Sequence, residues 1–281
     1  METKKPARRR SPLLTRHIAL PQDHGSWVFL FSPLLIGIFA AGRWSSDIPI
    51  LVIAALSAFL IRQPITIIVK VYSNRRDRRD LSAAWFWFAV YGAIGFLAVL
   101  GLVLRGFGDL LYLAIPGVPV FLWHLRLVSR REERRQIGVE IVGSGVLALA
   151  APAAYWVGMN EPSPIGWVLF ALNWLQSAAS IVYAYLRLEQ RQLKAIPSRA
   201  ERLRLGWRSI LYATFNLLLV IGLGIAAITP DWLFLPYALQ WGETMRGVLR
   251  PALNTKPTAI GVRQLIVSSL FTLLFIFTWR L

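Results

Sequence analysis

The sequence contains no cysteine and little acidic charge. The missing thiols exclude disulfides, thiolate metal sites and cysteine nucleophiles, and three scattered histidines do not make a transition-metal site. Asp and Glu number 14 against 31 Lys and Arg, for a formal net charge of +17. Such an excess first suggests nucleic acid or another anionic surface as the partner. The distribution of the basic residues along the chain decides between them.

Long polar stretches are also scarce, because 56% of the 281 residues are hydrophobic and the mean hydropathy is +0.53. The apolar runs are about as long as a bilayer is thick, roughly 17 to 25 residues each. There are nine of them, at residues 26–42, 48–69, 83–104, 109–125, 139–158, 166–186, 207–229, 232–249 and 257–280. They predict an all-α polytopic membrane protein with nine transmembrane helices. The pairs Gly143 with Gly145 and Gly222 with Gly224 predict close helix contacts.

The basic residues are strongly segregated between alternate loops. Five alternate polar segments hold 27 of the 31, whereas the intervening loops and the C-terminus hold three. Because Lys and Arg collect in cytoplasmic loops, this asymmetry predicts a cytoplasmic N-terminus and an outside C-terminus. Residues 1–22 are then a basic cytoplasmic tail and residues 23–281 a single nine-helix domain. Residues 187–206 are predicted to form an amphipathic basic helix along the inner leaflet.

This topology accounts for every basic cluster without nucleic acid, which is therefore excluded as a partner. The predicted partners are membrane lipids. The predicted location is the plasma membrane of a bacterium, or the thylakoid if the source is photosynthetic.

Several polar groups nevertheless lie within the apolar runs or at their start, and an ionisable side chain within a span costs at least about 2.5 kcal/mol on insertion scales. All of them fall in the predicted cytoplasmic half. The candidate catalytic groups are Asp23, His24, Glu140 and Glu243. The candidate ligand-binding groups in these runs are Arg62, Gln63, Arg246, Arg263 and Gln264.

Two interpretations of these groups stay open at this stage. One is a polar cavity entered from the cytoplasm and lined by the first, second, fifth, eighth and ninth spans, where Arg62 and Arg263 bind an anionic head group such as a diphosphate or carboxylate. The other is that Glu243 pairs with Arg246 and Arg62 with Glu140, so that the pairs only hold helices together.

The basic loop after the second span holds three further candidates. On a helix, Asp77 and Asp80 share a face and could hold Mg²⁺ between themselves and a phosphate, with Asn74 nearby as a ligand-binding residue. The alternative is a solvated loop with local ion pairs.

The start of the first span carries the most distinctive short motif of the chain. With Pro33 after it, the motif resembles the first-span element of the YwiC-like family of bacterial membrane proteins, and it reads Pro21-Gln22-Asp23-His24-Gly25-Ser26-Trp27. That family brings no firmly assigned activity to the residues.

The architecture also resembles, more distantly, the UbiA-type intramembrane prenyltransferases, which have nine helices and acidic motifs in the loops after spans two and six. This resemblance implies a UbiA-like bundle that transfers a polyprenyl chain from its diphosphate to a membrane acceptor, with Mg²⁺ as cofactor. After Asn74, however, Arg75, Arg78 and Ser82 occupy the acidic positions of the family's first motif. The alternative function is non-catalytic binding of a lipid or quinone, transport or assembly.

Overall fold

The computed structural model describes residues 16–21, 24–132 and 136–281, and every regular element in this part of the chain is helical. The α-helices are α1 (Arg16–Ala19), α2 (His24–Ala40), α3 (Ile48–Tyr72), α4 (Leu81–Leu104), α5 (Ala114–Arg130), α6 (Ile137–Ala148), α7 (Ala150–Met159), α8 (Pro164–Gln190), α9 (Arg199–Ile225), α10 (Phe234–Leu249) and α11 (Pro257–Trp279). Short 3-10 turns precede α4, α5 and α10. The predicted all-α class is confirmed.

Seven helical segments are long and apolar enough to cross a membrane. They are Ile48–Tyr72, Arg78–Leu104, Gly108–Arg130, Ile137–Met159, Pro164–Gln190, Arg199–Ile225 and Pro257–Trp279. The first and eighth apolar runs also form helices, but α2 has 17 residues and α10 has 16. The chain is therefore a multi-pass helical membrane protein by length and composition, with at least seven candidate spans in the described residues.

The fifth apolar run folds as two helices rather than one. α6 ends at Ala148, Leu149 separates it from α7, and Pro152 occupies the third position of α7. A proline inside a helix lacks the N–H that would bond to the carbonyl four residues earlier, here that of Ala148, and its ring clashes with that carbonyl. This accounts for the break within a segment that still totals 23 residues.

The helices pack around α8 and the α6–α7 segment, which are the most buried candidate spans. One core cluster joins α2, α7, α8, α10 and α11, and a second joins α2, α3, α4 and α7. Of the glycines predicted at helix contacts, Gly145 backs onto the Trp174 ring, where an added Cβ would lie 2.9 Å from ring atoms. An added Cβ at Gly143 or Gly222 meets nothing within 4 Å.

Contacts near the helix termini identify the two ends of the bundle. At one end the Arg75 guanidinium donates to the Val128 carbonyl, and Arg187 Nη1 donates to the carbonyl of Gly247 at 2.7 Å. We call this the basic end, because the loops at 73–80 and 191–198 lie there, the first with four arginines and the second with Arg191 and Lys194. At the opposite end Arg105 Nη1 is 2.6 Å from Asp47 Oδ1.

The C-terminus of α11 also reaches the opposite end. The Arg280 side chain donates to the carbonyl of Phe39, the penultimate residue of α2, through Nε at 3.2 Å and Nη2 at 3.0 Å. The last residues of the first and last apolar runs are thus side by side.

The predicted amphipathic helix over residues 187–206 is wrong. α8 continues to Gln190, a turn follows, and α9 starts at Arg199. The break has a local cause, because Pro197 disfavours a helical residue before it. Ser198 then caps α9, since its hydroxyl accepts from the Glu201 N–H while the Glu201 carboxylate accepts from the Ser198 N–H at 2.9 Å.

Candidate functional site

The buried carboxylate of Glu243 on α10 is the centre of a polar site among α8, α10 and α11. Arg263 of α11 contacts it through two parallel hydrogen bonds, Nε to Oε1 and Nη2 to Oε2, both 2.5 Å. The Tyr183 hydroxyl of α8 donates to Oε1 at 2.9 Å. Arg246, one turn along α10, places Nη1 3.9 Å from Oε2. The fork of a guanidinium matches both oxygens of a carboxylate, so Arg263 is the principal partner.

Exposure differs sharply between the acid and its two cations. The Glu243 side chain is 9% exposed, whereas those of Arg263 and Arg246 are 40% and 53% exposed. The site has one negative and two positive charges, so its net charge is positive. The two cations form its outer side.

One face of α8 carries a stripe of buried polar side chains next to this site. It recurs every three or four residues, which is one face of a helix, and comprises Asn173, Gln176, Ser177, Ser180, Tyr183 and Gln190. Gln240 of α10 donates through Nε2 to the Gln176 carbonyl at 3.1 Å and to Ser180 Oγ at 3.0 Å. Side-chain hydrogen bonds therefore join α8 to α10 along this face.

The space beside Glu243 is small. Ser180, Gln240, Gln264 and Ser268 help to line a cavity of about 20 Å³, which is close to the volume needed for one water molecule. Gln264, predicted as a ligand-binding residue, does lie beside Glu243 and Arg263.

A ligand-sized groove of about 550 Å³ lies elsewhere, at the opposite end between α2 and α3. Its wall is formed by apolar side chains, among them Leu35, Phe39, Trp44 and Val52. Neither of these two spaces is a polar cavity of ligand size.

Glu140 lies on a different side of α8 from Glu243. The Tyr185 hydroxyl donates to Glu140 Oε1 at 2.6 Å, whereas Tyr183 donates to Glu243. Residues two apart on a helix point about 200° away from each other. The two carboxylates therefore flank α8, and the structure does not bring them together in one cavity.

Arg62 and Gln63 lie on α3, which packs against α4, α5 and α7. The Arg62 guanidinium carbon is 5.4 Å from the centroid of the Phe59 ring. Gln63 Nε2 donates to the His17 carbonyl at 3.0 Å and ties α1 to α3. Arg62 and Arg263 therefore belong to different helix contacts rather than to one anion-binding pair.

The acidic residues of the loop after α3 make local contacts. Asn74 takes the left-handed conformation (φ 54°) that asparagine tolerates at a helix end. The Asp77 carboxylate caps the 3-10 turn Arg78–Asp80 by accepting from the Arg79 N–H at 2.9 Å, and Asp80 Oδ2 pairs with Arg76 Nε at 2.6 Å. The loop therefore agrees with the second interpretation, a loop with local ion pairs. It is not a helix with two free carboxylates on one face.

In the part of the chain that the structure describes, no three His, Asp or Glu side chains form a group that could hold a metal ion. The predictions for Asp23 and for the side chain of His24 fall outside the described residues.

The sequence interpretation missed Tyr183, Ser180 and Gln240, which complete the site. Their signal is present, because polar residues at spacings of three and four recur along α8 and continue on α10 at Gln240, Glu243 and Thr244. An average of hydropathy over a whole run hides such a face, whereas a count at helical spacing reveals it.

These features define the class as a multi-pass helical membrane protein with a partly buried ion pair between two of its helices. Residues 20–155 match the family model described as YwiC-like protein, so the resemblance read from residues 21–27 is confirmed over this part of the chain. The chain is also 24% identical over 178 residues to "Uncharacterized protein YwiC" of Bacillus subtilis (strain 168). The aligned residues cover 63% of this chain and 70% of that protein. No solved structure matches the chain significantly.

The matched region ends before the polar site begins. Residues 20–155 include α2 to most of α7, whereas Tyr183, Glu243 and Arg263 lie on later helices. The family match therefore identifies the first half of the bundle, and the role of the site has to be argued from its own geometry.

Proposed function

We propose that the chain crosses the plasma membrane nine times, with its N-terminus in the cytoplasm, its C-terminus outside, and residues 23–281 as one domain. Two contacts at the end opposite the basic end support this arrangement, because Asp47 with Arg105 and Phe39 with Arg280 join residues that nine alternating spans place on the same side. The segregation of 27 basic residues into alternate polar segments of the sequence supports it as well. In this arrangement α2 and α10 cross the membrane despite their length.

The absence of cysteine makes this topology directly testable. In cells expressing single-cysteine variants, a membrane-impermeant maleimide should label Ser46→Cys and Ala226→Cys from outside. Lys256→Cys should react only after the membrane is permeabilised. These positions precede α3, follow α9 and precede α11, and all three residues are exposed. Labelling of Lys256→Cys in intact cells, or protection of Ser46→Cys, would contradict nine spans.

We further propose that the protein is a non-catalytic lipid-binding membrane protein, whose site takes the anionic head group of a phospholipid. The observation that carries this proposal is the order of charges, with Glu243 buried and the guanidiniums of Arg246 and Arg263 on the outer side. Basic pockets between membrane helices on the cytoplasmic side suit phosphate head groups, and guanidinium is the side-chain group that best matches phosphate geometry.

The transferase alternative has weaker support. A prenyl diphosphate would need a cavity far larger than the 20 Å³ beside Glu243. It would also need acidic ligands for its metal ions, whereas Asp77 and Asp80 are engaged with Arg79 and Arg76. Lipid binding needs neither of these features.

Substitution of the more exposed arginine should weaken retention of anionic lipid. In native mass spectrometry of protein released from mixed nanodiscs, we expect Arg246→Gln to lower the retained phosphatidylglycerol by about fivefold relative to phosphatidylcholine, because one basic residue at an anionic surface contributes roughly 1 kcal/mol. Arg43→Gln, which alters an exposed arginine at the opposite end, is the matched control and should leave retention unchanged.

Two results would count against lipid binding. Equal retention by the wild-type protein and Arg246→Gln would show that the site does not select the head group. Consumption of a prenyl diphosphate by the purified protein in the presence of Mg²⁺ would favour the transferase instead.

A further inference from the structure

Arg263 engages only one of the two edges of its guanidinium. Its Nε and Nη2 donate to the Glu243 carboxylate, and they form one of the edges from which a planar guanidinium donates two parallel hydrogen bonds. The other edge, Nη1 with the second N–H of Nη2, makes no hydrogen bond to any residue that the structure describes. Because the carboxylate occupies the first edge, the second edge points away from Glu243, and 40% of the side chain is exposed.

Arg246 brings a second set of donors to the same place. Its Nη1 lies 3.9 Å from Glu243 Oε2, which is too long for a hydrogen bond, and Arg263 Nη2 lies 2.5 Å from that same oxygen. The two nitrogens are therefore no farther apart than the sum of these distances. Within the described part of the chain no hydrogen bond engages the Arg246 guanidinium, and its side chain is 53% exposed. Two guanidiniums with free donors thus converge on the outer side of the site.

The number of free donors indicates which kind of phosphate they suit. The free edge of Arg263 matches two oxygens of one phosphate, and Arg246 can then donate to a third. A phosphodiester, such as the head group of phosphatidylglycerol, has two oxygens without an ester bond. A phosphomonoester has three, and it carries a charge of about −1.5 to −2 at pH 7. The positive net charge of the site favours the ligand with the larger negative charge.

On the basis of the proposed lipid binding, we infer that the site selects a phosphomonoester head group and that its ligand is phosphatidate. Arg263 binds two terminal oxygens of the phosphate through Nη1 and Nη2, Arg246 donates to the third oxygen, and the acyl chains stay in the bilayer. A lipid is favoured over a soluble phosphate because Arg263 lies within a candidate membrane span. Lysine cannot replace Arg263 in this role, because an ammonium is a point charge without a parallel pair of donors.

The experiment is native mass spectrometry of the full-length protein released from nanodiscs that contain phosphatidate, phosphatidylglycerol and phosphatidylcholine with identical acyl chains. We expect the wild-type protein to retain phosphatidate about fivefold over phosphatidylglycerol, because the monoester gains one more hydrogen bond to a charged group. Equal retention of the two anionic lipids by the wild-type protein would overturn the inference, and this result does not depend on the folding of a variant.

Arg263→Lys removes the free edge and keeps a positive charge beside Glu243. We expect this variant to retain the two anionic lipids equally, and both of them above phosphatidylcholine. Arg43→Lys makes the same substitution at an exposed arginine of the opposite end. It is the matched control and should keep the preference for phosphatidate. An undiminished preference in Arg263→Lys would show that this edge does not select the head group.

The failure of this inference and the failure of lipid binding give different results. If the wild-type protein retains the two anionic lipids equally and Arg246→Gln lowers the retention of both, lipid binding stands and the preference for a phosphomonoester is refuted. If Arg246→Gln changes the retention of neither lipid, lipid binding itself is refuted. Release of bound phosphatidate by millimolar inorganic phosphate would overturn the assignment of the site to a lipid and favour a soluble phosphate.

Discussion

Glu243→Gln should destabilise the protein more than the loss of any exposed charge, because it leaves the partly exposed Arg263 guanidinium without its nearly buried counter-ion. Removing one partner of a buried ion pair costs about 3–5 kcal/mol. Since Arg263 is 40% exposed, solvent screens the charge that is left, and we expect a smaller loss of about 1–3 kcal/mol. Glutamine retains an oxygen that can accept from Tyr183, so the substitution isolates the charge. The measurement is thermal unfolding of the purified protein in detergent.

The double variant Glu243→Gln/Arg263→Gln should recover much of this loss, because no unpaired charge is left. A double-mutant cycle with Arg263→Gln then gives the coupling energy of the pair. Arg246→Gln is the matched control. Its side chain is 53% exposed and 3.9 Å from the carboxylate, and ion pairs of this kind contribute about 0–1 kcal/mol. Equal destabilisation by Arg246→Gln and Glu243→Gln would mean that the pair with Arg263 is not what stabilises the helix contact.

The outcome for Glu243 shows which parts of a site can be predicted from one sequence. Its contact with Arg246 was predicted because the two residues are three apart on one helix, and the structure confirms it as the longer contact. Its main partner, Arg263, is twenty residues away on the next helix. The depth of Arg263 in its apolar run was visible in the sequence, whereas the pairing depends on how α10 and α11 pack, which no local pattern specifies.

Glu140 illustrates the opposite failure. Its position at the start of the fifth run suggested that it shares a cavity with Glu243, because both lie in the same half of the predicted membrane. Depth alone does not determine direction around a bundle. Tyr183 donates to Glu243 and Tyr185 donates to Glu140, so the two carboxylates lie on different faces of α8. This separation becomes apparent only once the partners of each acid are known.

Helix positions were more predictable than helix contacts. Each of the nine apolar runs corresponds to helical structure in the described residues, because apolar length is a property of the local sequence. The break at Leu149 and the turn between α8 and α9 were missed. Both lie close to a proline, Pro152 and Pro197, whose effect on the backbone is local and could have been used.

The packing of α2 against α7 leads to the second large expected effect. A Cβ added at Gly37 would overlap the backbone carbonyl oxygen of Ala151 and lie 2.8 Å from Ala154 Cβ. Neither atom belongs to a flexible side chain, so the helices would have to separate in a core that includes Ile36. Overpacking of this kind costs about 1–3 kcal/mol. We therefore expect Gly37→Ala to lower the melting temperature and the yield of folded, monodisperse protein.

Gly222→Ala on α9 is the control that separates packing from helix propensity. Its added Cβ meets nothing within 4 Å, and alanine is more favourable than glycine in a helix interior by up to about 1 kcal/mol. The same substitution should therefore leave stability unchanged or raise it at position 222 and lower it at position 37. If both variants unfold at the temperature of the wild-type protein, α2 and α7 are not in close contact at Gly37, and α2 is held in the bundle by its other neighbours.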